Sequence, residues 1–148
     1  MKALPLLAGG MVAGLAIIAG EAVLNLWLLA EQWAHLFARF SLPQPSAAVA
    51  MQGLAKLLVL GVFVVWLAAL LRPALTTASR AAVGSGLIVW FLVWAWVQWG
   101  MVLAGYVTLA VAAPTVAWGL IELPLAAWLG YRVHESIARR GHERAAIS

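Results

Sequence analysis

An apolar run of 27 residues, Leu4–Ala30, constrains the fold of this chain more than any other feature. Its only strongly polar side chains are Glu21 and Asn25. A helix of about 20 apolar residues crosses the roughly 30 Å hydrocarbon layer of a bilayer, at about 1.5 Å per residue. The run therefore predicts a transmembrane helix.

Three more apolar segments follow, at residues 47–71, 80–103 and 107–132. Of the 148 residues, 66% are hydrophobic and 9% are charged, whereas soluble domains carry about 25% charged residues. We expect an all-α bundle of four transmembrane helices, with residues 1–134 forming a single transmembrane domain and residues 135–148 a polar cytoplasmic tail.

The segment at residues 31–40 has the pattern of a short amphipathic helix. One helical face is apolar and the other carries charged or polar groups, which is typical of a helix lying along the membrane interface. The apolar face holds Trp33, Leu36, Phe37 and Phe40, and the polar face holds Glu31, His35 and Arg39. Pro43 and Pro45 then predict a loop.

Turn residues predict the remaining boundaries. Pro73 ends the second span, and Thr77 or Ser79 is the expected N-cap of the third. Gly105 predicts a tight turn before the fourth span, within which Pro124 predicts a kink because it removes a backbone hydrogen bond.

The basic residues predict the orientation of the bundle. With four spans both termini lie on one side, and most basic residues lie there too, whereas Arg39 lies on the opposite side. Lysine and arginine collect on cytoplasmic loops, so we expect both termini in the cytoplasm of a bacterial inner membrane. The formal charge of +4 is then explained by topology and by anionic lipids rather than by nucleic acid. The basic residues expected on the side of the two termini are Lys2, Arg72, Arg80, Arg132, Arg139, Arg140 and Arg144.

No pattern of an enzyme or of a cofactor site is present in the sequence. The chain has no cysteine, which excludes thiolate metal sites and cysteine nucleophiles. His35 falls on one side of the membrane and His134 and His142 on the other, so a haem held by two histidines is not expected. We expect a protein without a cofactor, a metal or a catalytic site.

Three polar residues from different spans are predicted to lie at a similar depth. By helical rise, Glu21 and Lys56 fall roughly 13 Å from the outer end of their spans. Gln98 falls roughly 27 Å from the inner end of its span and so near the same level, and Asn25 lies one turn from Glu21. They form a candidate site for an ion, a proton or a small ligand. The alternatives are a salt bridge and hydrogen bonds that join helices, or a Lys56 side chain that snorkels to the interface.

Glu122 is predicted near the middle of the membrane, two residues before Pro124. Intramembrane carboxyl groups mark ion and proton pathways in many proteins. The alternative is a neutral carboxyl group hydrogen-bonded to a neighbouring helix or to the carbonyl that Pro124 frees.

Small residues predict close helix packing in the first span. Gly10 and Gly14 form a GxxxG motif, and Ala16 and Gly20 repeat the spacing. Such residues let a second helix approach closely in lipid.

Several short motifs resemble those of a family of small bacterial inner-membrane proteins with four spans and no known activity. The motifs are Arg72–Ala78, Gly86-Leu87, Trp90, Trp118–Ala126 and Gly130-Tyr131, together with Asn25. The resemblance implies the four-span architecture and a bacterial membrane location.

Two functions are consistent with these features. The first is a non-enzymatic membrane component that packs with itself as a homo-oligomer, or with a larger membrane complex, through Gly10, Gly14 and Gly20. The second is a small transporter or channel unit that moves protons, cations or a small solute by means of Glu21 and Glu122.

Overall fold

The computed structural model describes the backbone of residues 3–43 and 45–147 and, within these ranges, side chains up to Arg140. Every regular element in this part of the chain is helical. Two helices contain a π-helical turn, in which hydrogen bonds skip one extra residue. The α-helices are α1 (Ala3–Val23), α2 (Ala30–Arg39), α3 (Ala47–Leu71), α4 (Ala78–Val89), α5 (Trp96–Leu103) and α6 (Leu109–Ile147), and the π segments are Leu24–Leu28 and Trp90–Ala95.

Four continuous helices are long and apolar enough to cross a membrane, as the sequence predicted. The first consists of α1 and the first π segment, and the third of α4, the second π segment and α5. The fourth continues without a break through both of its prolines, Pro114 and Pro124. The division into a domain of residues 1–134 and a tail of residues 135–148 stays a prediction.

Side-chain caps and one glycine turn set several of the helix ends. Ser46 Oγ accepts the backbone N–H of Val49 at 3.3 Å and begins α3. Of the two candidate caps for α4, Thr77 is the one used, since its Oγ1 accepts the N–H of Arg80 at 3.2 Å. Gly105 adopts a positive φ of 74° in the turn between α5 and α6, a conformation that glycine allows at no steric cost.

Helix α2 follows the first span directly, and part of its apolar face packs within the protein. Trp33 and Leu36 lie against a buried cluster that includes Leu29, Val107 and Val111. The opposite face carries an exposed pair, with Glu31 Oε1 and His35 Nε2 3.8 Å apart. A location of α2 along the membrane interface stays a prediction.

Helix α1 packs along both α3 and α6. Its glycines permit this close approach. A Cβ added at Gly10 would lie 2.5 Å from the Cα of Val62, and one at Gly14 would lie 2.8 Å from the Cα of Leu58. Gly61 faces the same two glycines from α3. The GxxxG motif therefore packs against α3, a helix of the same chain.

Helix α6 is held against the other helices by two more close contacts. A Cβ at Gly86 of α4 would lie 2.5 Å from the Cα of Pro124, and a Cβ at Gly20 would overlap the carboxyl group of Glu122. Gly20, like Gly10 and Gly14, thus faces a neighbour within the chain. These contacts fix the position of Glu122 relative to the first and third spans.

Candidate functional site

A large cleft lies between α3 and α5. Helix α3 packs on α4, but it makes no comparable contact with α5, which packs on α6. The gap has a volume of about 940 Å³. Its lining includes four of the predicted site residues, namely Glu21, Asn25, Lys56 and Gln98. We call this space the cleft.

A hydrogen-bonded network forms one wall of the cleft. Glu21 Oε2 accepts a bond from Asn25 Nδ2 at 2.6 Å, and Glu21 Oε1 accepts one from Trp94 Nε1 at 3.2 Å. The Oδ1 atom of Asn25 in turn accepts a bond from Trp33 Nε1 at 2.8 Å. The network therefore joins the first span to α2 and to the third span.

Two members of the network, Asn25 and Trp94, lie in the two π segments. In the first of these, the N–H of Leu29 bonds to the carbonyl of Leu24 at 2.8 Å. Single π-helical turns inside α-helices occur frequently at functional sites. They change which side chains share a face, so they can turn Asn25 and Trp94 towards the cleft.

The two tryptophans of the network were not among the predicted site residues. Trp33 was assigned only to the apolar face of the predicted amphipathic helix. Trp94 is 7% exposed. A Cβ added at Gly119 would lie 3.0 Å from Cδ1 of its ring, so the glycine leaves space for the indole. One signal was available, because Trp94 precedes the predicted site residue Gln98 by four residues and thus shares its helical face.

Lys56 and Gln98 line the cleft but differ from Glu21 in their bonding. Within residues 3–43 and 45–140, neither side chain takes part in a hydrogen bond or an ion pair. The proposed salt bridge between Lys56 and Glu21 is therefore absent from this part of the chain. The side chain of Lys56 is exposed and that of Gln98 half-buried.

Glu122 lies apart from the cleft, on the other side of Gly20. It is 9% exposed and lines a separate cavity of about 260 Å³ together with Trp118. Both carboxyl oxygens of Glu122 and the Nε1 atom of Trp118 are buried without a hydrogen-bond partner. The five candidate residues thus divide into four around the cleft and one outside it.

The basic residues of the described chain gather mainly at the end of the bundle opposite α2. The Nε atom of Arg72 lies 4.0 Å from Glu135 Oε1, which connects the loop before α4 to α6. A groove of about 570 Å³ there is lined by Arg132, Arg139 and Arg140. Lys2 and the side chain of Arg144 lie outside the described residues.

Possible metal ligands are scattered in the described residues, where no three histidine or carboxylate side chains come together. Comparison of the chain with protein-family models, with curated proteins and with solved structures finds no match in any of the three. The resemblance to a bacterial family stays a prediction, and the site is interpreted from its own geometry.

Proposed function

We propose that this chain is a non-enzymatic, multi-pass membrane protein that binds an amphiphilic molecule from the bilayer in the cleft. The observation that supports the proposal is the combination of a large cavity, apolar walls and a polar network at one level. Ligand sites generally have volumes of about 300–1,000 Å³, with mostly apolar linings and a few placed polar groups. The cleft has this composition.

The rims of the cleft are exposed apolar side chains. Val59 on α3 is 69% exposed and Phe63 44%, while Val97 on α5 is 50% exposed. In a bilayer these side chains face lipid, so an apolar tail can enter sideways between α3 and α5. Leu42 and Tyr106, from the two connections at the α2 end, also line the cleft, so a polar head can approach from the membrane surface.

Assembly through Gly10, Gly14 and Gly20 is not part of the proposal, because α3 and α6 of the same chain cover these glycines. A partner protein or a second copy would have to use another surface.

Narrowing the cleft from both rims is expected to weaken binding. The double variant Val59→Phe/Val97→Phe places added bulk on α3 and α5. We expect it to raise the dissociation constant of a bound fatty acid by about tenfold or more. The measurement is saturable quenching of tryptophan fluorescence by a terminally brominated fatty acid and by its methyl ester, with protein in phosphatidylcholine vesicles.

The matched control is Val49→Phe/Val83→Phe. These valines are also exposed and also lie on the second and third spans, but they do not line the cleft. The control is expected to bind like the original protein. If the original protein shows no saturable quenching with either compound, the proposal is wrong.

We also propose that the protein lies in a bacterial inner membrane with the arginine-rich end in the cytoplasm. The gathering of Arg72, Arg132, Arg139 and Arg140 at one end supports this orientation. Because the chain has no cysteine, single cysteines at Ser79 and at Tyr106 report each end. A membrane-impermeant thiol reagent should label intact spheroplasts at position 106 only, and labelling at position 79 alone would reverse the orientation.

A transporter remains the second candidate, and one observation favours it. Glu122 has buried oxygens without partners, as a group that exchanges protons or ions would. Against this function, Glu21 and Glu122 line separate cavities. Proton flux in the same vesicles that disappears in Glu122→Gln would support transport, and an absence of flux would favour binding.

A further inference from the structure

The hydrogen-bonding groups of the cleft divide into those that already hold a bond within the protein and those that hold none. Each oxygen of Glu21 already accepts a bond, and so does the carbonyl oxygen of Asn25. The hydroxyl group of Thr115 donates to the carbonyl of Val111 at 2.8 Å. Each of these groups therefore already holds one hydrogen bond within the protein and has acceptor lone pairs left, since carboxylate, amide and hydroxyl oxygens can each accept more than one bond.

The groups left over are mostly donors. Within residues 3–43 and 45–140, the side chains of Lys56, Gln98 and Tyr106 line the cleft without a hydrogen bond to the protein. A lysine ammonium group carries three donors and no acceptor, and a glutamine amide group carries two donors and one acceptor oxygen. These three side chains, which have no bond to give up, therefore suit a head that accepts hydrogen bonds.

The charge of Lys56 points to the same kind of head. Lys56 follows the start of α3 by nine residues, so it lies about 13 Å along the helix, and no carboxylate is within ion-pair distance in the described chain. A cation inside an apolar span costs a few kcal/mol. An anionic head beside Lys56 offsets this cost and gains a charge-assisted hydrogen bond.

We propose that the amphiphile held in the cleft is anionic, with a carboxylate or phosphate head on Lys56 and Gln98 and an apolar tail along Val59 and Phe63. This inference depends on the proposed function, because it specifies the head of the molecule that the cleft binds. Lys56 supplies the charge, and Gln98 supplies a second donor from the facing helix.

The test compares the binding of three compounds that share one brominated tail and differ in their head group. The brominated fatty acid, its methyl ester and the corresponding trimethylammonium compound are titrated into the same vesicles. The acid is expected to bind about tenfold more tightly than the ester, as a charge-assisted hydrogen bond would provide. An alkyl phosphate should compete with the acid, whereas inorganic phosphate should not, because it lacks the tail.

Three variants test whether Lys56 and Gln98 cause the difference in affinity between the acid and the ester. Lys56→Met keeps an unbranched side chain that is one atom shorter and removes the charge, so the acid and the ester should then bind equally. Gln98→Leu should weaken binding of the acid more than binding of the ester. Gln52→Leu, one turn from Lys56 on α3 and outside the cleft lining, should leave both dissociation constants unchanged.

Each result separates this inference from the proposed function. Equal, saturable binding of acid and ester to the original protein would overturn the anionic head and leave amphiphile binding intact. Tighter binding of the trimethylammonium compound would overturn it in favour of Glu21 as the head contact. A failure of Lys56→Met to fold would not affect the comparison of heads on the original protein, which decides the matter alone.

Discussion

Replacing Gly61 with alanine is expected to lower the free energy of unfolding by about 3 kcal/mol, the upper part of the usual range for overpacking. The added Cβ would overlap the backbone nitrogen of Gly14 and lie 2.5 Å from the backbone oxygen of Gly10. Backbone atoms inside a helix cannot move aside as a side chain can. Helices α1 and α3 must therefore separate along their whole contact.

The sign of this effect is informative because alanine is intrinsically the better helix former, by up to about 1 kcal/mol. The control is Gly53→Ala, on the same helix, where an added Cβ meets nothing within 4 Å. Thermal unfolding in mild detergent, followed by tryptophan fluorescence and by elution volume, should show a lower midpoint for Gly61→Ala only. Equal midpoints would contradict the close contact between α1 and α3.

Much of the fold follows from the sequence because a bilayer imposes one solution on long apolar runs. Every backbone group must be paired inside lipid, so each such run becomes a helix. The bounds of α3, at Ala47 and Leu71, agree with the predicted segment. The π segments at Leu24–Leu28 and Trp90–Ala95 could not be predicted, since their composition does not differ from that of the α-helical neighbours.

The candidate site was only partly predictable. Helical rise gives the depth of Glu21, Lys56 and Gln98, and all three line the cleft. Depth does not give the rotation of a helix about its axis. It therefore could not predict that Glu122 faces Gly20 and a separate cavity. The partner of a small-residue motif is equally undetermined. From sequence, Gly10 and Gly14 could pack against a second copy of the chain or against another helix of the same chain. In the structure they pack against Gly61 on α3.

Gly86→Ala is expected to cost about 3 kcal/mol of stability for the same physical reason, but at the contact between α4 and α6. The added Cβ would lie 2.5 Å from the Cα of Pro124, 2.7 Å from its nitrogen and 2.8 Å from the carbonyl oxygen of Leu123. The proline ring restricts the local backbone, so α6 has to shift as a unit. Gly84→Ala is the matched control, two residues away, where the nearest atom would be 3.8 Å distant.

This variant also connects packing to the cleft. The indole of Trp94 lies against Gly119 of α6 and bonds to Glu21, so a shift of α6 should loosen the network that forms the wall of the cleft. We therefore expect Gly86→Ala to weaken saturable binding of the brominated fatty acid as well as to lower the unfolding midpoint. Gly84→Ala should change neither. If Gly86→Ala lowers stability but leaves binding intact, the position of α6 does not control the cleft, and the wall is held by the first span and α2 alone.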